Sequence, residues 1–215
     1  MASLVLDIYP SIALLFISFS FGTTVALLSL LLDKCSSQIN PAVTLAFTLA
    51  QPSRRRLFIP YLGFQILGSL LAGATLWNLF RSIDPTKNLG STQLANHTNP
   101  IAGIMLEAIG TFVLSISVLF ASNYVQNPTK KGLLIGTTLF ILIVLIGPLT
   151  GASFNPARSF GPSIVSGYLN DQYVYWLGPF LGASLSAFTF EAIMHKRKKQ
   201  YSVCLCWKRW AKPDG

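Results

Sequence analysis

Residues 153–162, SFNPARSFGP, echo residues 38–47, QINPAVTLAF, so that Asn-Pro-Ala is spelled twice in a chain of 215 residues. At average residue usage a given tripeptide is expected about a few hundredths of a time in such a length. Two copies in matching surroundings therefore mark an internal repeat. Each copy follows a long apolar run, and what those runs are decides the fold.

Hydrophobic residues make up 52% of the chain and charged residues only 11%, where an ordinary soluble domain carries about 25% charge. Apolar stretches cover residues 11–32, 57–80, 101–122, 132–149 and 173–194. Each is close to the length a helix needs to cross a hydrocarbon layer of roughly 30 Å. The chain thus reads as an all-α, multi-pass integral membrane protein with five full spans embedded in a lipid bilayer.

The net charge of +9 does not point to nucleic acid, because the basic residues follow the membrane rather than forming a patch on a soluble face. Lys34, Arg54, Arg55 and Arg56 lie between spans one and two, and Lys130 and Lys131 between three and four. Lys196, Arg197, Lys198, Lys199, Lys208, Arg209 and Lys212 follow span five, which puts thirteen of the sixteen Lys and Arg on one side. Only Arg81 and Lys87 lie opposite, while Arg158 belongs to the second motif. The positive-inside rule assigns the thirteen, and the C-terminus, to the cytoplasm. Asn96-His97-Thr98 is an N-glycosylation sequon in the loop assigned to the outside, with Asn96 as acceptor. Cys35, Cys204 and Cys206 all fall on the cytoplasmic side, where thiols stay reduced. A cleaved leader is not expected, since no basic residue precedes the first apolar run.

Aligned on Asn40 and Asn155, the copies share a later span, YLGFQILGSLLAGA beside YWLGPFLGASLSAF. Gly68 lies 28 residues after Asn40, and Gly182 27 after Asn155. Small residues at Gly68, Ala72, Gly178, Gly182 and Ser186 have the spacing that lets membrane helices approach closely. One motif follows an inward-running span and the other an outward-running one, so the repeat is inverted and its site belongs near the midplane. The organisation is residues 1–90 as first repeat, 91–195 as second, and 196–215 as a basic, solvated cytoplasmic tail. The second repeat has three spans and the first two. Glu107 precedes Asn155 by 48 residues, a step that from Asn40 falls before Met1. On this reading the first repeat lacks its first helix.

Each motif opens a run of about ten residues that would rise roughly 15 Å as a helix, half the hydrocarbon thickness. Asn is a favoured N-cap, and Pro at the first helical position loses no hydrogen bond. Gly161 and Pro162 disfavour a regular helix in the second copy. Two such half-helices, entering from opposite faces, would meet tip to tip with both positive dipole ends at one point. Asn40 and Asn155 would offer amide N–H groups there to a passing water. Irregular backbone at that depth is tolerated only where it lines a cavity or is packed in protein.

At INPAVT (39–44), GASFNPARSFGP (151–162) and YWLGPFLGA (175–183) the chain resembles the aquaporin, or major intrinsic protein, family over residues 11–195. The resemblance implies an inverted-repeat bundle of six helices and two re-entrant half-helices, five of the six visible here. It further implies a homotetramer with one pore per subunit and passive water flow, without cofactor or metal. Carried over by motif, the central constriction maps to Asn40, Pro41, Ala42, Asn155, Pro156 and Ala157. The outer filter maps to Arg158, Ala152, Ile143 and Phe21, although an ungapped count gives Ser20 in place of Phe21. Glu107 matches a buried glutamate that supports the second re-entrant loop. Its counterpart would sit on the lacking helix, so the first loop is expected to go without such a brace.

Departures bear on selectivity. Strict water channels carry His where Ile143 stands, so the filter reads as wider and drier, admitting small uncharged solutes as well. Glycerol conductors have Asp where Ser159 stands, and Pro with an aliphatic residue at Tyr175-Trp176, which keeps water first. Ala152 replaces a mercury-reactive Cys of some members. CSSQIN (35–40) replaces a common Ser-Gly-Ala-His lead. No nucleophile triad, metal cluster or phosphate loop is visible, so an enzyme is not indicated. The competing reading is a non-conducting relative that serves as an assembly partner.

Overall fold

The computed structural model of the chain describes residues 10–35, 37–83 and 88–210, the side chains of Pro10, Pro52 and residues 195–210 excepted. Lys87 and the side chains of Cys204 and Cys206 therefore lie outside the described residues. Seven α-helices are present among the described residues: α1 (Pro10–Leu31), α2 (Pro41–Ala50), α3 (Phe58–Phe80), α4 (Pro100–Tyr124), α5 (Pro128–Thr150), α6 (Pro156–Ser166) and α7 (Val174–Trp210). A 3-10 turn over Pro52–Leu57 carries Arg54, Arg55 and Arg56. Five helices are long and apolar enough to span a membrane, and α2 and α6, with 10 and 11 residues, reach halfway.

Local chemistry explains where these helices start. Four of them, α2, α4, α5 and α6, begin at Pro after an extended Asn whose side-chain oxygen accepts backbone N–H bonds of the first turn. The cap satisfies N–H groups that have no intrahelical partner. Gly151 and Gly167, at φ +76° and +79°, stop α5 and α6 in the left-handed conformation that glycine adopts without strain. Helix α6 runs unbroken through Gly161 and Pro162, against the irregularity expected from sequence. A Cβ on Gly161 would lie within 2.1 Å of the Ser69 carbonyl oxygen, so this glycine serves contact with α3. Beyond residue 195 the backbone continues as helix to Trp210.

Packing pairs elements both across the two halves and, for α4 with α7, within the second. Helix α1 lies against α5, where Cβ atoms on Gly22, Gly132 or Gly136 would collide with the facing backbone. Helix α4 lies against α7, and each half-helix leans on the last span of the opposite repeat, α2 on α7 and α6 on α3. Asp33 at the end of α1 and Lys131 at the start of α5 form an ion pair that joins the ends assigned to the cytoplasm.

Of the matching glycines in the last span of each repeat, only those of the second approach another full span, while Gly73 of α3 packs on Gly161 of half-helix α6. Gly178 and Gly182 of α7 pack on α4, but Gly63 and Gly68 of α3 have nothing within 4 Å. Among the described residues helix α3 touches half-helices α2 and α6 and the adjoining 3-10 turn but no full span, and only 6% of its most apolar stretch is buried, against 44% for α4. Ile59 and Phe64 are correspondingly exposed. The repeat is thus symmetric in its sequence motifs and asymmetric in what covers them.

Candidate functional site

The two half-helices meet at their capped N-termini. Asn40 is buried, and its Oδ1 accepts from Ala42 N at 2.9 Å and more weakly from Val43 N at 3.5 Å. Asn155 Oδ1 accepts from Ala157 N at 3.1 Å and Arg158 N at 3.3 Å. The amide nitrogens cross between the repeats. Asn40 Nδ2 donates to the Phe154 carbonyl at 2.8 Å, and Asn155 Nδ2 donates to the Ile39 carbonyl at 3.2 Å. Pro41, Ala42, Pro156 and Ala157 are buried at the junction.

A side-chain amide has two N–H donors and one oxygen acceptor. Both oxygens are used on their own helices, and one N–H of each is used on the opposite loop. One N–H per asparagine makes no hydrogen bond among the described residues. The spent half does structural work, since it pins two loops that lie more than 110 residues apart in sequence.

The second loop is fastened from behind by Glu107, which is fully buried on α4. Its Oε1 accepts from Thr150 Oγ1 at 2.7 Å and Ser153 N at 3.0 Å, and its Oε2 from Phe154 N at 2.7 Å. These bonds hold Ala152 and Phe154 at φ +47° and +53°, a conformation that costs a residue with a Cβ on the order of 1–3 kcal/mol. Tyr175 on α7 adds a bond from its hydroxyl to the Thr150 carbonyl at 2.8 Å. The first loop was expected to go without an equivalent glutamate, and a different residue holds it. Gln65 on α3 donates its amide to the Gln38 carbonyl at 2.8 Å and to Thr44 Oγ1 at 2.9 Å. The brace is of opposite kind, a donor holding a carbonyl where Glu107 is an acceptor holding N–H groups. A signal for it was present: Gln65 is a polar residue within an apolar span, at the place where the second copy has Pro179.

A cavity of about 240 Å³ passes the two asparagines. Its walls are apolar, supplied by α1, α4 and α5, and Phe21, Ile143, Ala152 and Arg158 all line it. The Arg158 guanidinium carbon stands 4.9 Å from the centre of the Phe21 ring, in cation–π range. Ser20 is exposed and bonds back to the Phe16 carbonyl, so it is Phe21 that faces the cavity. Arg158 Nη1 donates to the Gly90 carbonyl at 2.7 Å. Gly90 lies in the loop between α3 and α4, and no residue pattern in the sequence points to it. Asn96, in that same loop, is exposed.

Comparison with known proteins places this geometry. The sequence profile described as Major intrinsic protein matches residues 3–190. The chain is 32% identical over 184 residues to Aquaporin-1 of Bos taurus, covering 84% of this chain and 68% of that protein. It is 34% identical over 197 residues to probable aquaporin PIP2-6 of Arabidopsis thaliana, covering 86% and 67%. To the lens fiber major intrinsic protein of Gallus gallus it is 32% identical over 197 residues, covering 90% and 75%. Among solved structures, the aquaglyceroporin from Plasmodium falciparum shares the fold with a TM-score of 0.74 at 18% identity, covering 84% of this chain and 83% of that one.

Proposed function

The chain belongs to the major intrinsic protein family of membrane channels for water or small solutes, and from that premise we propose that it is a passive water channel that also admits small uncharged solutes. One observation carries the reading: two half-helix N-termini meet in a cavity, each asparagine there with one amide N–H uncommitted. A water in file would give its oxygen to both donors and turn its own protons away, which breaks a chain of like-oriented waters. The converging dipole ends and the Arg158 charge oppose cations at the same place.

Selectivity follows from the outer wall. Phe21 and Arg158 face each other, and Ile143 contributes surface without a hydrogen-bonding group. An apolar wall costs a small neutral solute less to pass than a wall crowded with donors that hold water. We further propose that four copies assemble, each with its own pore, that the C-terminus lies in the cytoplasm, and that Asn96 takes a glycan on the outer face. The asymmetric charge supports the orientation, as does the Asp33–Lys131 pair at the basic end.

Osmotic shrinkage of proteoliposomes tests the channel. A rate well above that of empty vesicles is expected, and equality would refute it. In the same vesicles Ile143→His should lower urea or glycerol flux relative to water by roughly tenfold, the worth of about 1.4 kcal/mol of filter interaction. An unchanged ratio would remove Ile143 from the filter. The competing reading, a non-conducting assembly partner, has one observation in its favour, the α3 face that no full span covers.

A further inference from the structure

We infer that Thr92 and Ser159 are positioning residues that set where Arg158 stands at the pore mouth, an inference that rests on the channel reading above. Arg158 extends from the first turn of α6 on a flexible stem, and its half-helix makes no bond to its guanidinium among the described residues. The polar group that holds it is the Gly90 carbonyl, at 2.7 Å. The guanidinium is therefore held between the Phe21 ring, 4.9 Å away, and a loop carbonyl, and of the two only the carbonyl fixes it through a directional hydrogen bond.

That loop is shaped locally but placed from a distance. Leu89 and Gly90 have φ of +53° and +72°. Gly90 N donates to Asn88 Oδ1 at 3.1 Å, and Ser91 N to the Asn88 carbonyl at 2.9 Å. These bonds close a turn, and Ser91 Oγ lies 3.2 Å from Ser166 Oγ at the far end of the half-helix. Thr92 supplies the link to its first turn, beside Arg158. It is buried, and its Oγ1 donates to Ser159 Oγ at 2.6 Å, one residue beyond Arg158.

The string continues inward and has one direction. Ser153 Oγ donates to the Asn155 carbonyl at 2.9 Å. A hydroxyl has a single proton, so the bond between Ser153 and Ser159 uses the proton of Ser159. Ser159 then accepts from Thr92. Three buried hydroxyls thus connect the loop that holds Arg158 to the carbonyl of a pore asparagine. Ser159 and Ser153 are themselves shielded from water, so a gap in the string is not refilled by bulk solvent.

Loss of the Thr92 hydroxyl leaves the Ser159 oxygen without its donor and leaves the loop tied to the half-helix only at its far end, through Ser91 and Ser166, so the Gly90 carbonyl can shift relative to Arg158. Arg158 then spends part of its time over the lumen, where it obstructs the file. One buried hydrogen bond corresponds to a shift of roughly two- to tenfold in that equilibrium. The experiment uses proteoliposomes of the full chain at equal protein content. Thr92→Val and Ser159→Ala should each lower water permeability roughly two- to tenfold, the double variant should be no lower than either single, and Thr92→Ser should rescue.

The decisive arm is the Arg158→Ala background, where Thr92→Val should change nothing further because no guanidinium remains to be released. A drop that persists there, or a failure of Thr92→Ser to rescue, would overturn the inference in favour of a merely structural bond. If the unaltered chain is no faster than empty vesicles, the channel reading fails by itself. The positioning role is then read from nitrogen NMR of the Arg158 side chain in nanodiscs. A resolved, slowly exchanging N–H signal is expected in the unaltered chain and its loss in Thr92→Val, whereas identical signals in both would overturn it.

Discussion

Glu107→Leu is expected to abolish water flux and to destabilise the fold on the order of 3–6 kcal/mol. The carboxylate accepts three hydrogen bonds in a fully buried place, two of them from backbone N–H groups of the loop that carries Asn155. Leucine matches the volume and accepts nothing. Each abandoned donor costs about 1–3 kcal/mol in a region without water, and Ala152 and Phe154 lose what holds them at positive φ. The Phe154 carbonyl would move with them, and with it the acceptor of the Asn40 amide. Damage on one side of the junction therefore reaches the other. Glu107→Gln should fall between, because its amide keeps one acceptor and turns donors toward the other N–H. Resistance to unfolding in graded denaturing detergent and the osmotic rate check both, and a Glu107→Leu protein that matches the unaltered chain in each would show that the brace carries no weight.

Gly182→Leu and Gly68→Leu should differ sharply although they occupy matching places in the repeat. A Cβ on Gly182 would lie 2.1 Å from the Ala108 carbonyl oxygen and 2.8 Å from Phe112 N, both backbone atoms that cannot turn aside. Helices α4 and α7 would have to separate. Overpacking of this kind costs about 1–3 kcal/mol, and more where backbone must shift. Because Glu107 rides on α4, and a Cβ on Gly178 would already lie 2.7 Å from the Glu107 Cβ, the separation would pass into the loop and lower flux. At Gly68 nothing lies within 4 Å. Leucine there meets open space and gains about 0.5–1 kcal/mol from replacing glycine inside a helix. Equal losses at both positions, read from the detergent midpoints, would mean that the α3 face is covered after all.

The contrast between those glycines shows where sequence reading reached its limit. YLGFQILGSLLAGA and YWLGPFLGASLSAF look alike, and the spacing of small residues states that a helix can approach closely. It does not state that one does. Approach depends on which neighbour is present, and among the described residues the helices beside α3 are the two half-helices and a 3-10 turn. Gln65 makes the same point from the other side. It stood out as a polar residue in a span, yet its partner, the Gln38 carbonyl, is 27 residues away and carries no side-chain signature. Phe21, Ile143, Ala152 and Arg158, which line one cavity, were singled out through motif resemblance alone. Their common cavity joins four elements that no local pattern relates.

Sequence by itself determined the five spans and the two half-length helices, because apolar length and Asn-Pro capping are settled within a few residues. Asn99 and Asn127 illustrate the limit, since they cap α4 and α5 by the same chemistry that Asn40 and Asn155 use for α2 and α6. Only the tertiary structure decided which two caps face each other and how their amides are divided between the opposite loop and the lumen. The reason is one of range: a cap is satisfied by its own first turn, whereas a pore requires that spans far apart in the chain carry two such caps to the same depth.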